Sequence, residues 1–203
     1  MKYYKLCVSG AADTGHCEPD ALKKAEELGR EIVRHNAVLV TGATTGTPFW
    51  AAKGAKAEDG FSVGFSPAYS EKEHIDYYNL PTEYMDIIIY TGFDFSGRNL
   101  MLTRAADAVF IVCGRSGTMN EFTVAFEDNK PIGVLEGTGG TADLIRELLP
   151  KMHKGQGKVV FDTDPKRLVE KVLELVKKEK MIELPTHRHD PALEKDKEEK
   201  SEK

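Results

Sequence analysis

The chain reads as a doubly wound α/β domain, a mostly parallel sheet with helices on both faces. Three observations predict this. Short apolar, β-branched runs alternate with longer stretches of helical period. Most of these runs lack the apolar–polar alternation of a half-exposed strand, as expected where both faces are buried. Gly or Pro marks most of the junctions.

In chain order, strands are expected at residues 6–9, 37–41, 61–65, 87–90, 108–113, 132–135 and 159–161. Amphipathic helices are expected at 21–34, 49–58, 99–106, 119–128, 142–149 and 165–180. In the last, Leu168, Val172, Leu175 and Val176 follow the i, i+4, i+7, i+8 stripe of a helix lying on a core. Thr47 followed by Pro48 reads as an N-cap with proline at N1, so both are expected to be structural. Residues 66–83 form a longer irregular connection, of a kind that often carries function or an interface. One domain is expected over 1–184, and a disordered, charged tail over 185–203, where the apolar stripe stops. His187 and His189 in that tail lack further ligands nearby, and no metal site is expected.

The 203 residues suit one domain, with 40% hydrophobic residues for its core. A net charge of −5 argues against a nucleic-acid partner, which needs a positive face. No apolar run is long enough to span a membrane. The start, Met1-Lys2-Tyr3-Tyr4-Lys5, leads into a strand without a signal-peptide pattern. Cys7, Cys17 and Cys113 are an odd number without CxxC spacing, which fits a reducing cytoplasm.

Ligands of open parallel sheets bind beyond the carboxyl ends of the strands. The segments found there are Ser9-Gly10-Ala11-Ala12, Thr41-Gly42-Ala43-Thr44-Thr45-Gly46, Thr91-Gly92-Phe93, Gly114-Arg115-Ser116-Gly117-Thr118 and Glu136-Gly137-Thr138-Gly139-Gly140-Thr141. Small residues let backbone N–H groups approach a phosphate, and helix N-termini add their positive dipole ends. Gly10, Gly42, Gly46, Asn99, Gly114, Arg115, Ser116, Gly117 and Thr118 are therefore candidate binding residues. No P-loop and no GxGxxG fingerprint is present.

Two readings of Glu121 stand. Thr118-x-x-Glu121 fits a capping box, in which Glu121 only closes its own helix. Alternatively its carboxylate sits at the mouth of the phosphate loop, ionised under the helix dipole, and serves to activate water or stabilise a sugar cation. Arg98 directly follows a strand-end loop and reads either as a surface arginine or as a guanidinium pointing into the same crevice, with Asn99 either its hydrogen-bonding partner or simply a first-turn helix residue.

Together, Ser96-Gly97-Arg98-Asn99-x-x-Leu102, Ala106-Asp107-Ala108-Val109 and Gly114-Arg115-Ser116-Gly117-Thr118-x-x-Glu121 resemble the LOG (Lonely Guy) family. The wider set is the DprA- and LOG-like Rossmann superfamily, often labelled lysine decarboxylases and similar to molybdenum-cofactor carriers. The upstream block from Thr41 to Gly46, with Ala51-Ala52-Lys53-Gly54-Ala55, resembles that family's first glycine-rich motif. The resemblance implies a Rossmann-like fold and a homodimeric phosphoribohydrolase without metal or redox cofactor. Such an enzyme cleaves the N-glycosidic bond of a purine or cytokinin-type nucleoside 5′-monophosphate. It implies catalytic roles for Arg98 and Glu121, and phosphate binding by Gly114, Gly117 and Thr118. Helical residues 100–105 and 122–126 are the expected dimer elements.

The chain departs from the family pattern at five positions. Cys113 replaces a proline, Arg115 a glycine, Asn99 a lysine, and Ala43 and Thr44 two glycines. A positive φ at Arg115 would cost on the order of 1 kcal/mol, and Arg115 could instead touch phosphate. Cys113 reads either as an activated thiol or as a small hydrophobe. The alternative function is a non-catalytic carrier of a nucleotide or molybdenum cofactor. A DprA-like single-strand DNA binder is disfavoured by the acidic balance.

Overall fold

The structure, a computed structural model, describes residues 3–181. The expected tail, 185–203, lies outside the described residues. Seven strands are present, β1 Tyr4–Gly10, β2 Ala37–Thr41, β3 Ser62–Ser66, β4 Ile87–Tyr90, β5 Ala108–Val112, β6 Ile132–Leu135 and β7 Val159–Asp162. They form one all-parallel sheet in the order β4-β3-β2-β1-β5-β6-β7. The doubly wound expectation holds, and each expected strand appears within one or two residues of its place.

The strand order reverses between β1 and β5. Chain connections leave β1 toward β2 on one side and return to β5 on the other, so the loops after β1 and β5 diverge. That divergence opens a crevice at the carboxyl edge. The register pairs Gly10 with Val112, which brings the two loop starts level.

The helices are α1 Ala21–Arg34, α2 Thr47–Ala57, α3 Glu71–Asp76, α4 Asp94–Ala105, α5 Ser116–Glu127, α6 Ile145–Leu148 and α7 Pro165–Met181. Successive strand residues point to opposite faces, and the core divides accordingly. Leu6, Val8 and Phe110 pack on one side with Leu28 and Ile32 of α1, Ala51 of α2, and Leu168 and Val172 of α7. Cys7, Val109 and Ile111 pack on the other with Leu102 of α4, Phe122 of α5 and Ile145 of α6.

Several expectations need correction. Residues 66–83 contain α3, whose N-cap Ser70 accepts from the Glu73 N–H. Six residues, Glu-Lys-Glu-His-Ile-Asp, are too few and too polar to show a helical stripe. Gly46, not Thr47, precedes the first helical residue of α2. Helical residues flank α6 as 3-10 turns at Ala142–Leu144 and Leu149–Met152, so the expected helix at 142–149 is broken. Phe122 and Phe126 stack on each other inside the core, so of the apolar residues at 122–126 only Val124 is partly exposed, whereas Leu100 and Met101 are exposed. Among the described residues, no helix is long and apolar enough to cross a membrane.

Candidate functional site

A cavity of about 480 Å³ occupies the crevice at the strand-order switch. Its walls are the β1–α1 loop (Ser9, Gly10, Ala11, Ala12), the β2–α2 loop (Gly42, Thr44), Phe95 and Arg98 of α4, and Arg115 to Thr118 with Glu121 around α5. Eight of the eleven sequence-derived candidates line it: Gly10, Gly42, Arg98, Arg115, Ser116, Gly117, Thr118 and Glu121. Gly46, Asn99 and Gly114 are not part of the lining.

Glu121 does not cap its helix. The N-cap position belongs to Arg115, and the first intrahelical bond runs from the Met119 N–H to the Arg115 carbonyl at 3.0 Å. Thr118 is thus already inside the helix, and Glu121 lies in the second turn, beyond reach of the free N-terminal amides. The capping-box spacing was a coincidence of register. The carboxyl turns inward, where Oε2 accepts from the Ser9 hydroxyl and Oε1 lies 3.4 Å from Arg98 Nη1. The Ser9 contact had no sequence signal beyond a hydroxyl at a strand end.

Arg98 sits in the second turn of α4, which begins at Asp94, a turn earlier than the apolar pattern indicated. Its side chain is 6% exposed, as is that of Glu121. The Phe95 ring lies 5.7 Å from the guanidinium carbon, and Nε has no partner among the described residues. Gly42 makes room for this arrangement, since a Cβ there would stand 2.9 Å from Arg98 Cζ.

Asn99 braces the pair from behind. With its amide nitrogen turned inward it donates to Glu121 Oε1 at 3.1 Å and to the Phe95 carbonyl at 2.9 Å, while the other end meets Asn120. Asn120 is a second residue that sequence reasoning missed.

Burial dominates the electrostatics of the pair. It pushes the Glu121 carboxyl above its ordinary range, opposed by the charge of Arg98 and the Ser9 hydrogen bond. It also pulls Arg98 below its ordinary value, opposed by Glu121 and Cys7. Glu121 lies too far along α5 for the N-terminal amides to reach it, so burial, Arg98 and Ser9, rather than the helix dipole, govern its charge. In this pair desolvation outweighs attraction for both partners.

The turn between β5 and α5 has a different strain pattern from that considered above. Arg115 is extended (φ −128°), and its guanidinium meets Asp13 at 3.3 Å on the surface. The left-handed residues are Cys113 (φ 53°) and Gly114 (φ 98°). Cys113 is neither a free thiol nor merely a small hydrophobe, because it is disulfide-bonded to Cys17 across 96 residues. The three cysteines are thus one bond and one buried thiol, Cys7, whose pKa burial raises. Ser116, Gly117 and Thr118, whose amides precede the first intrahelical bond, line the cavity at the positive end of α5.

Residues 3–169 match the SLOG cluster4 family. An uncharacterized protein of Archaeoglobus fulgidus is 28% identical over 132 residues, which cover 65% of this chain and 82% of that one. The Moco carrier protein from Chlamydomonas reinhardtii superposes with a TM-score of 0.71 at 26% identity, covering 87% of this chain and 99% of its own. The molybdenum cofactor binding protein from the phototrophic bacterium Rippkaea orientalis gives a TM-score of 0.69 at 27% identity, covering 88% and 98%. With a family match over most of its length and the Rossmann-like fold in place, the chain belongs to the SLOG cluster4 family, among the LOG- and DprA-like Rossmann proteins.

Proposed function

We propose that the crevice binds a nucleoside 5′-monophosphate and hydrolyses its N-glycosidic bond, releasing free base and ribose 5-phosphate. The carrying observation is the Arg98–Glu121 pair, two ionisable side chains desolvated together on the wall of a ligand-sized cavity. Such a pair stabilises a fold poorly. Titratable groups shifted by burial within a cleft are the usual mark of a working site.

The amides of Ser116, Gly117 and Thr118 would hold the 5′-phosphate at the α5 N-terminus. Arg98 would orient the nucleotide and keep Glu121 charged during turnover. The carboxylate faces positive charge developing on the ribose ring and takes a proton from the attacking water. Its raised pKa makes it a better base for that step than an ordinary glutamate. Water delivers hydroxide to the anomeric carbon while the base departs with the bonding pair. The proton collected by Glu121 then neutralises the base, so charge and atoms balance without metal or redox cofactor. The same reading makes the protein a cytoplasmic homodimer that binds neither nucleic acid nor membrane. Incubating the pure protein with a panel of nucleoside monophosphates and assaying free base tests it.

A second reading has its own support. The solved neighbours named as molybdenum cofactor binding or carrier proteins share 25–27% identity with this chain. A nucleotide-like cofactor held in the same crevice without cleavage would make the protein a carrier. Tight binding with no base released from any monophosphate favours that reading.

A further inference from the structure

We infer that, once the Cys17–Cys113 disulfide is reduced, His16, Cys17 and Cys113 form a binding site for a thiophilic divalent cation, zinc in the first instance. The Nε2 of His16 and the two sulfurs all lie within 4.8 Å of one another. Zinc bound tetrahedrally, with Zn–S near 2.3 Å and Zn–N near 2.0–2.1 Å, places a sulfur and a nitrogen ligand about 3.6 Å apart. The distance from His16 Nε2 to Cys113 Sγ is 3.6 Å. Two thiolates on one zinc sit about 3.8 Å apart, so the disulfide and the metal exclude each other, and reduction must come first.

The backbone carrying these ligands is anchored independently of the sulfur bond. The Cys113 N–H donates to Thr138 Oγ1 at 2.8 Å, and its carbonyl accepts from the Ala142 N–H at 2.8 Å. The Cys17 N–H donates to the Thr14 carbonyl at 3.0 Å, the Glu18 N–H donates to the Thr138 carbonyl at 3.1 Å, and Cys17 bridges to Gly139. These bonds anchor the backbone of both cysteines without the disulfide, so opening it would require only side-chain rotation to separate the sulfurs. His16 needs one adjustment. Its Nε2 lies 3.2 Å from the Gly114 carbonyl, and ligation moves the ring proton to Nδ1 and turns Nε2 to the metal.

The chemistry balances. A dithiol or phosphine reductant supplies two electrons, and two protons complete two thiols. Zinc then displaces both thiol protons and binds two thiolates and a neutral imidazole, with water or a further ligand in the fourth position. Cys113 leads directly into the turn that lines the crevice, and His16 and Cys17 belong to the β1–α1 loop on its other wall. Zinc would restore in the reduced protein the cross-link that the disulfide makes in the oxidised one. A reducing compartment would favour the metal form and an oxidising one the disulfide.

The test uses full-length protein, reduced anaerobically with a phosphine, desalted and titrated with Co²⁺. The expected result is one equivalent bound with tetrahedral d–d bands and a thiolate-to-cobalt charge-transfer band, displaced by Zn²⁺. Oxidised protein and reduced Cys17→Ser should bind none, and His16→Ala should bind about tenfold more weakly or worse. Cys7→Ser should titrate like wild type. Reduced wild type that binds no more Co²⁺ than Cys17→Ser overturns the inference, as does binding by the oxidised protein. None of these readouts depends on base release, so the outcome stands apart from the proposed activity.

Discussion

Arg98 and Glu121 face each other with Nη1 and Oε1 3.4 Å apart, and burial drives each toward its uncharged form. The direction of the Glu121 shift fixes a pH dependence. A carboxyl whose folded pKa lies above its unfolded value binds its proton more tightly when folded. Its stabilising contribution is present below the ordinary value of 4.5 and is lost as pH rises through the folded pKa. Glu121→Gln stays uncharged throughout. The stability of wild type relative to Glu121→Gln should therefore fall as pH climbs from about 4.5 toward neutrality, read as urea midpoints. A gap moving in favour of wild type would refute the shift.

Replacing both partners by apolar residues probes the same balance. Arg98→Met/Glu121→Leu should melt no lower than wild type, since a buried pair is often matched or exceeded by hydrophobes of similar volume. Calorimetry decides. A loss of several kcal/mol would mean that the pair holds the fold together.

The Ser9 hydroxyl bonded to Glu121 Oε2 favours the charged carboxylate. Ser9→Ala removes that bond, so the Glu121 pKa should rise further. The acid limb of kcat/KM for base release, set by deprotonation of Glu121, should then move to higher pH. An unmoved or lowered limb would detach Ser9 from the titration.

Two glycines in the same crevice should respond oppositely. Gly42→Ala puts a methyl group into the Arg98 guanidinium and should lower base release at least about tenfold through misplacement of that side chain. Gly117→Ala meets nothing closer than Asn99 Nδ2 at 4.0 Å and has no positive φ, so it should leave the fold intact and gain up to about 1 kcal/mol of stability. Thermal melts and rates of both variants separate the cases.

The sheet was legible because β1, β5 and β6 are buried on both faces, so Val109-Phe110-Ile111-Val112 cannot be anything polar. Crevice residues were legible wherever position alone decided, at the first residues after β1, β2 and β5. The start of α4 was hidden because Phe93, Phe95 and Gly97 carry no helical stripe, and both phenylalanines are exposed. Local spacing also misled at Thr118 and Glu121, where a capping pattern sits two residues inside a helix that begins at Ser116. Contacts between distant segments left no trace in sequence. The Cys17–Cys113 bond and the Ser9–Glu121 hydrogen bond join residues 96 and 112 apart.

With Phe122 and Phe126 inside the core, the exposed Leu100 and Met101 on α4 are the stronger candidates from the sequence reading for the expected homodimer. Sedimentation should give a dimer mass, and Met101→Lys should shift it toward monomer without lowering the melting temperature. A monomeric wild type across a wide concentration range would remove the dimer from the account.

The central claim is that Glu121 does chemistry at this crevice. Base release from a panel of nucleoside 5′-monophosphates, followed by chromatography for wild type and Glu121→Gln, measures it most directly. Loss of a charge that meets a developing cation is commonly worth roughly 3–4 kcal/mol, so the variant should turn over about a hundredfold or more slowly. Nucleotide binding should persist on the Ser116 to Thr118 amides. Equal rates for the two proteins, or no base released by wild type from any monophosphate, would contradict the account.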